Sequence, residues 1–144
     1  MPDTTEVTQR SEFSCCYVVH NFDETYSLNC HNYKFEATVS GHITASNRII
    51  SFEDFKALID SVIPNACFLY NVEDQSQKLI SQTFSLCGIS TLGFGEEISA
   101  EIILNQISLM LVQVLKEFSS DLFLKETKLR ETSNSYVTWK QEVI

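Results

Sequence analysis

The chain has 144 residues, of which 44% are hydrophobic and 20% are charged, and these values are typical of one globular domain with a buried core. Its formal net charge of -9 argues against a nucleic-acid or anionic-membrane partner, because both would repel an acidic surface. The apolar stretches are too short to span a bilayer. The 5 cysteines are odd in number and lack CxxC spacing, so we expect reduced thiols in a cytoplasmic protein.

The chain begins with a polar segment followed by two predicted strands. Residues 1–12 are mixed in charge and predict a flexible N-terminus without a secretory signal, and residues 13–144 form a single predicted domain. Apolar and polar side chains alternate in residues 13–20 and again in residues 31–43, which predicts strands with one buried and one solvent-exposed face. A polar loop over residues 21–30 would connect them.

Two histidines mark the ends of these strands. His20 ends the first strand and His31 begins the second. An antiparallel pairing that places His20 opposite His31 also places Val18 opposite Tyr33, so the apolar residues of the two strands stay opposed. The pattern therefore predicts two imidazoles close enough to share a metal or an acid/base site. A hydrogen-bonded pair at the sheet end is the alternative.

Two amphipathic helices are predicted in the remainder. Ser51 is a candidate N-cap followed by acidic residues and apolar residues at helical spacing, and Pro64 ends this helix. A second helix begins after Ser99 and runs to about Phe118, with enough apolar residues to be largely buried. Residues 65–95 mix apolar, polar and glycine-containing stretches, and their pattern assigns no defined element.

Two further strands are predicted at the C-terminal end, over residues 122–132 and 136–139, with a tight turn between them. The order of elements is then strand, strand, helix, helix, strand, strand. This order predicts an α+β fold, in which a four-stranded antiparallel sheet carries both helices on one face. A small sheet with two free edges tends to cover them by self-association, so we expect a homo-oligomer.

Several segments together resemble one known enzyme family. Asn29-Cys-His-Asn-Tyr33 resembles the His-Gly-His-Asn-Tyr signature of the 6-pyruvoyl-tetrahydropterin synthase and 6-carboxy-tetrahydropterin synthase family, and His20 matches that family's earlier metal histidine. Similar segments follow in the family's order at residues 49–56, 98–102, 129–132 and 136–137. The resemblance covers nearly the whole chain, and its specificity lies in the order of the motifs.

This resemblance implies a fold, an activity and a substrate site. The fold would be a tunnelling fold assembled as a trimer or hexamer, and the activity that of a lyase that eliminates triphosphate from dihydroneopterin triphosphate in a pterin or deazapurine pathway. Glu131 would anchor a pterin-like ring, because a carboxylate accepts two hydrogen bonds from the ring edge, with Ser99 and Thr132 as further substrate contacts. Glu126 would replace Glu131 if the strand register differed, and a surface acid is the alternative for Glu131.

The resemblance also implies a zinc site, which is incomplete in this chain. His20 and His31 would be two of the ligands, and Asn29 stands where the family has a third histidine. A carboxamide is a weaker zinc ligand than imidazole, so zinc binding would be weak or absent. Asn29 and His31 should share a strand face. Other donors that could complete the site are Asp23, Glu24 and Cys30.

The catalytic groups depart further from the family. Residues 65–71 align best with its aspartate and histidine pair, which places Ala66 and Cys67 at those two positions, and the loop before the signature lacks the family's cysteine. Cys67 is then the candidate catalytic residue, with an inert buried thiol as the alternative. Two functions follow from this comparison. The protein is either a lyase with a rearranged site or a catalytically inactive member that binds a pterin-like ring or serves as a structural partner.

Overall fold

The computed structural model describes residues 4–142 of the chain. Its elements in chain order are β1 (Thr5–His20), β2 (Tyr26–Gly41), α1 (Phe52–Asp60), β3 (Cys67–Asn71), α2 (Gln75–Leu86), β4 (Ser90–Phe94), α3 (Ala100–Phe118), β5 (Phe123–Arg130) and β6 (Tyr136–Lys140). All described strands form one sheet in the order β4-β3-β1-β2-β5-β6. The α+β class is confirmed, but the predicted four-stranded sheet with two helices is replaced by a mixed sheet of 6 strands with three helices.

β1 and β2 form an antiparallel hairpin whose strands are longer than predicted. β1 begins at Thr5, so residues 5–12 are paired with β2 and are not the predicted flexible segment; residues 1–3 lie outside the described part of the chain. The predicted loop over residues 21–30 is also wrong. The Asn21 amide donates to the Thr25 carbonyl at 2.8 Å, which closes the loop after residue 25 and lets β2 begin at Tyr26.

The core lies between one face of the sheet and two helices. Alternate residues of β1 and β2 are buried on this face, as predicted, and include Tyr33 and Phe35. α1 and α3 pack on the same face, and the predicted N-caps are confirmed, since the Ser51 and Ser99 side chains accept from backbone amides of the first turns. We call this side of the sheet the helical face and the other side the opposite face.

The segment over residues 65–95 contains β3, α2 and β4, which the sequence pattern did not assign. β3 and β4 are parallel and flank α2, whose N-cap is Asp74. Gly88 follows the helix with φ 83°, a conformation that favours glycine. α2 contacts the opposite face, where the ring of Phe84 meets Phe68 edge-on at 4.9 Å. The prediction that helices lie on one face therefore holds only for α1 and α3.

The expectation that all thiols are reduced is wrong for one pair of cysteines. Cys16 and Cys30 are opposite one another in the β1 and β2 ladder, with Cα atoms 4.1 Å apart, and they form a disulfide. Cys15 and Cys67 are free and buried, and Cys87 is free and exposed. None of the helices described in residues 4–142 is long and apolar enough to cross a membrane.

Candidate functional site

The two histidines proposed to share a site lie far apart. The observed register pairs His20 with Tyr26 and His31 with Cys15, so the predicted pairing of His20 with His31 is wrong. Cys15 and His20 are five positions apart on β1, which corresponds to roughly 17 Å at about 3.3 Å per residue. Their positions also differ by an odd number along the paired ladder, so the two imidazoles point to different faces. The His20 ring instead stacks on Tyr26 with centroids 4.9 Å apart.

A row of polar side chains crosses four strands on the helical face. Cys67 of β3 is opposite Cys15 of β1, and Cys15 is opposite His31 of β2. Glu131 follows the last residue of β5, and its Oε1 lies 2.8 Å from His31 Nε2. The side chains of His31 and Glu131 are 29% and 30% exposed, so this end of the row is open to solvent. The fold thus joins a predicted metal ligand to the predicted ring anchor.

Tyr33 places a hydroxyl without a hydrogen-bond partner beside this pair. Its side chain is fully buried, and within residues 4–142 its hydroxyl makes no hydrogen bond. Burial, the neighbouring Tyr17 phenol and the charge of Glu131 together hold the pKa of Tyr33 well above its ordinary value. The Phe13 ring stacks on Tyr33 at 5.4 Å and fixes its position. A buried hydroxyl without a partner costs stability, because it has lost its hydrogen bonds to water.

The two thiols of the row are held in their neutral form. Burial, together with the adjacent Cys67, raises the pKa of Cys15 to about 12. Burial also raises the pKa of Cys67. Because the thiolate is the nucleophile and metal ligand, both groups are poorly suited to either role at neutral pH. This environment favours the inert-thiol alternative for Cys67, and the preceding residue, Ala66, has no group that could act as a base.

The residues present do not fit the zinc site that the family resemblance implies. Asn29 lies on the helical face with His31, as predicted from strand alternation, but His20 is remote from both. Asp23 accepts hydrogen bonds from the neighbouring Thr25, and Cys30 is bound in the disulfide. Among residues 4–142, no three His, Cys, Asp or Glu side chains are grouped so that they could hold a metal ion.

Ser99 lies toward the same end of the sheet as Glu131. Residues 119–122 connect α3 to β5, and Ser108 contacts Thr127 through a 2.6 Å hydroxyl pair. These two points make α3 antiparallel to β5. About 13 Å of helix separates Ser108 from Ser99, and a similar length of strand separates Thr127 from Glu131. The Ser99 hydroxyl caps α3 by accepting from the Ile102 amide at 3.2 Å.

Thr132 and Glu126 complete the set of predicted substrate contacts. Thr132 is exposed beside Glu131, and its Oγ1 accepts from the Asn134 amide at 3.2 Å, so its hydroxyl proton is free to be donated. Glu126 is opposite Thr38 on the other side of the sheet, with its Oε1 3.4 Å from Lys128 Nζ. Glu126 therefore cannot replace Glu131 as the ring anchor.

Solved structures with the same architecture exist. A 6-pyruvoyl tetrahydropterin synthase from Plasmodium vivax has a TM-score of 0.64 at 16% identity, with 98% of this chain and 99% of that chain covered. The chain has the fold of that synthase. The Caenorhabditis elegans synthase gives 0.64 at 13% identity, with 98% of each chain covered. An uncharacterized protein from Wolinella succinogenes gives 0.69 at 14% identity, with 96% and 99% covered.

No protein-family model matches the chain, and no curated protein matches it in sequence. Identities this low establish the synthase fold alone. The resemblance in the sequence is thus confirmed as a fold prediction, in spite of the large departures at the motif positions.

Sequence reasoning missed two features of the helical face, the unpaired Tyr33 hydroxyl and the buried Cys15, and it missed the disulfide between Cys16 and Cys30 on the opposite face. The turn-forming residues Asn21 and Asp23 were the available signal, because a short turn there sets the register that pairs these positions.

Proposed function

We propose that the protein belongs to the 6-pyruvoyl-tetrahydropterin synthase and 6-carboxy-tetrahydropterin synthase family and binds a pterin-like ring at the open end of the helical face. The observation that carries this proposal is the half-exposed Glu131 carboxylate, which His31 holds at 2.8 Å through one oxygen. Among the described residues the second oxygen has no partner. A carboxylate in this state can accept the adjacent N–H groups of a pterin edge.

Ring binding without triphosphate elimination agrees best with the chemistry of this site. Elimination needs a positioned base, and the positions that resemble the family's catalytic pair hold Ala66 and the neutral Cys67. His31 is engaged by Glu131, and His20 lies on the other face. A metal-assisted step by the family's ligand set is therefore not part of the proposal.

Triphosphate elimination is the second candidate. It is supported by the near-complete coverage in both directions between this chain and the Plasmodium and Caenorhabditis synthase structures. In this alternative the rearranged site would use residues other than the family's metal and base. Both candidates share the ring contact at Glu131, so ring binding and turnover need separate tests.

Ring binding is tested by the change in melting temperature that a pterin produces. We expect added pterin to raise the melting temperature of the wild type and of Glu126→Gln, but not that of Glu131→Gln. Glu126 is a matched control because it is a glutamate of β5 itself, close to Glu131 in sequence, but its side chain lies on the opposite face. Equal shifts in all three proteins would remove Glu131 from the proposed role.

Turnover is tested by incubating the protein with dihydroneopterin triphosphate, with and without added zinc. The binding proposal expects no release of triphosphate and no stoichiometric zinc after purification without added metal. Release of triphosphate that His31→Ala abolishes would instead establish the lyase candidate. Bound zinc at one ion per chain, lost in the same variant, would contradict the geometric argument against the metal site.

A homo-oligomer, as a trimer or hexamer, is part of the proposal. Its support is the pair of sheet edges at β4 and β6, which have no further strand beside them within residues 4–142. Light scattering during size-exclusion chromatography would measure the mass directly, and a stable monomer would refute this part. The expected cytoplasmic location rested on reduced thiols, and the disulfide between Cys16 and Cys30 removes that support.

A further inference from the structure

A cluster of basic side chains lines a cavity on the opposite face of the sheet. The cavity has a volume of about 220 Å³ and is lined by Arg10, Lys34, Phe35, Glu36, Lys128 and Arg130. The chain has only 10 Lys and Arg residues and a net charge of -9, so four of these cations at one place are a local exception to an acidic surface. A concentration of positive charge of this kind attracts anions.

Two of the four cations have no acidic partner. Arg10 Nε lies 2.8 Å from Glu36, and Lys128 Nζ lies 3.4 Å from Glu126. Lys34 and Arg130 are directly opposite one another in the ladder of β2 and β5, and neither forms an ion pair with any residue in the range 4–142. Glu12 lies across from Lys34 on β1 without pairing to it. Like charges in opposite positions destabilise a sheet, and a bound anion would remove this repulsion.

An aromatic ring orients the unpaired guanidinium. Arg130 lies 4.7 Å from the ring centroid of Tyr136, its partner on β6, and the Lys128 ammonium lies 5.7 Å from the same ring. Contact with the ring restrains the Arg130 side chain and leaves the guanidinium donors available. A planar guanidinium with free donors binds two oxygens of a phosphate, and a nearby lysine adds a point charge.

We propose that Lys34 and Arg130, flanked by Arg10 and Lys128, bind a polyphosphate group on the opposite face of the sheet. A cavity of this size accommodates a short phosphate chain. The site is separate from the ring site, because neighbouring residues of a strand point to different faces and Arg130 therefore points away from Glu131. This inference goes beyond the proposed function and does not depend on it.

Isothermal titration of the full chain with sodium tripolyphosphate tests the proposal. We expect saturable binding that weakens at least tenfold in the double variant Lys34→Gln/Arg130→Gln, because two charge-assisted contacts are lost. The matched control is Lys78→Gln/Lys116→Gln, which removes the same charge from exposed positions on α2 and α3. The absence of wild-type binding, or an equal loss in the two double variants, would overturn the proposal.

Two further measurements guard against misfolding and identify the recognised group. Without anion, Lys34→Gln should raise the melting temperature, since it removes the repulsion with Arg130; a marked decrease would contradict the reasoning. A nucleoside triphosphate should bind about as tightly as tripolyphosphate if the phosphates are recognised. Binding of the nucleotide without binding of tripolyphosphate would overturn the assignment.

Discussion

Replacement of both Cys16 and Cys30 by serine is expected to lower the free energy of unfolding by about 2 to 3 kcal/mol. The disulfide joins residues separated by 14 positions in sequence. In the chain-entropy account, closing a loop of this length restricts the unfolded chain by roughly 3 kcal/mol. The expected loss is a large part of the roughly 5 to 15 kcal/mol that stabilises a typical domain. Because the ladder continues on both sides of the link, the variant should still fold.

Urea denaturation followed by the fluorescence of Trp139 measures this loss. Trp139 is half-buried against the core, so its emission should change on unfolding. The wild type in excess dithiol reductant should unfold at the same midpoint as the double serine variant, since the reductant converts the disulfide to two thiols. Cys87→Ser is the matched control, because Cys87 is a free and exposed thiol. Its midpoint should equal that of the wild type.

Counting free thiols tests whether Cys16 and Cys30 form the disulfide. In denatured, unreduced protein an alkylating reagent should label the three free cysteines Cys15, Cys67 and Cys87, whereas prior reduction should allow all 5 to be labelled. Labelling of every cysteine without reduction would refute the disulfide. A midpoint that neither reductant nor the double variant lowers would refute the stabilising role.

Two other predictions concern the buried Tyr33 hydroxyl and the Asp60 carboxylate. Tyr33→Phe should stabilise the protein by about 1 to 2 kcal/mol in thermal unfolding, because it removes a buried hydroxyl that lacks a partner; a loss of stability would show that the hydroxyl is satisfied. Burial raises the pKa of Asp60, but hydrogen bonds from Lys56 and Ser11 outweigh burial and hold this pKa below 3.8. These hydrogen bonds therefore stabilise the folded protein above pH 3.8, and their contribution is lost as the pH falls through the lowered pKa of Asp60. Ser11→Ala should therefore reduce stability at neutral pH but not in strong acid, and an NMR titration should show a higher Asp60 pKa.

The elements with a clear periodic pattern could be predicted from the sequence. Alternation in residues 31–43 gave the buried face of β2, and the hydroxyls of Ser51 and Ser99 gave the starts of two helices. These signals depend on local geometry, which each residue type favours by itself. The same locality explains why Glu131, the proposed ring anchor, could be placed at the end of its strand, next to a short turn.

Features set by contacts between distant residues could not be predicted in this way. The partner of His31 depends on the exact length of the loop after His20, and a shorter loop moved every pairing in the hairpin. α2 is mostly exposed and polar, so it lacks the apolar stripe by which a helix is recognised; it is held by contacts such as that between Phe84 and Phe68. The sequence alignment made Cys67 a candidate catalytic residue, but its burial, which raises the pKa of the thiol, depends on contacts that the sequence does not show.

The alternation along the end of β5 has a consequence for how this protein could change by insertion or deletion. Arg130 and Glu131 are consecutive, yet one belongs to the proposed anion site and the other to the proposed ring site on the far side of the sheet. A single residue inserted into β5 just before Arg130 would turn the guanidinium toward His31 and the carboxylate toward Lys34. Such an insertion would exchange the charges of the two surfaces at once, whereas point substitutions can alter either surface alone.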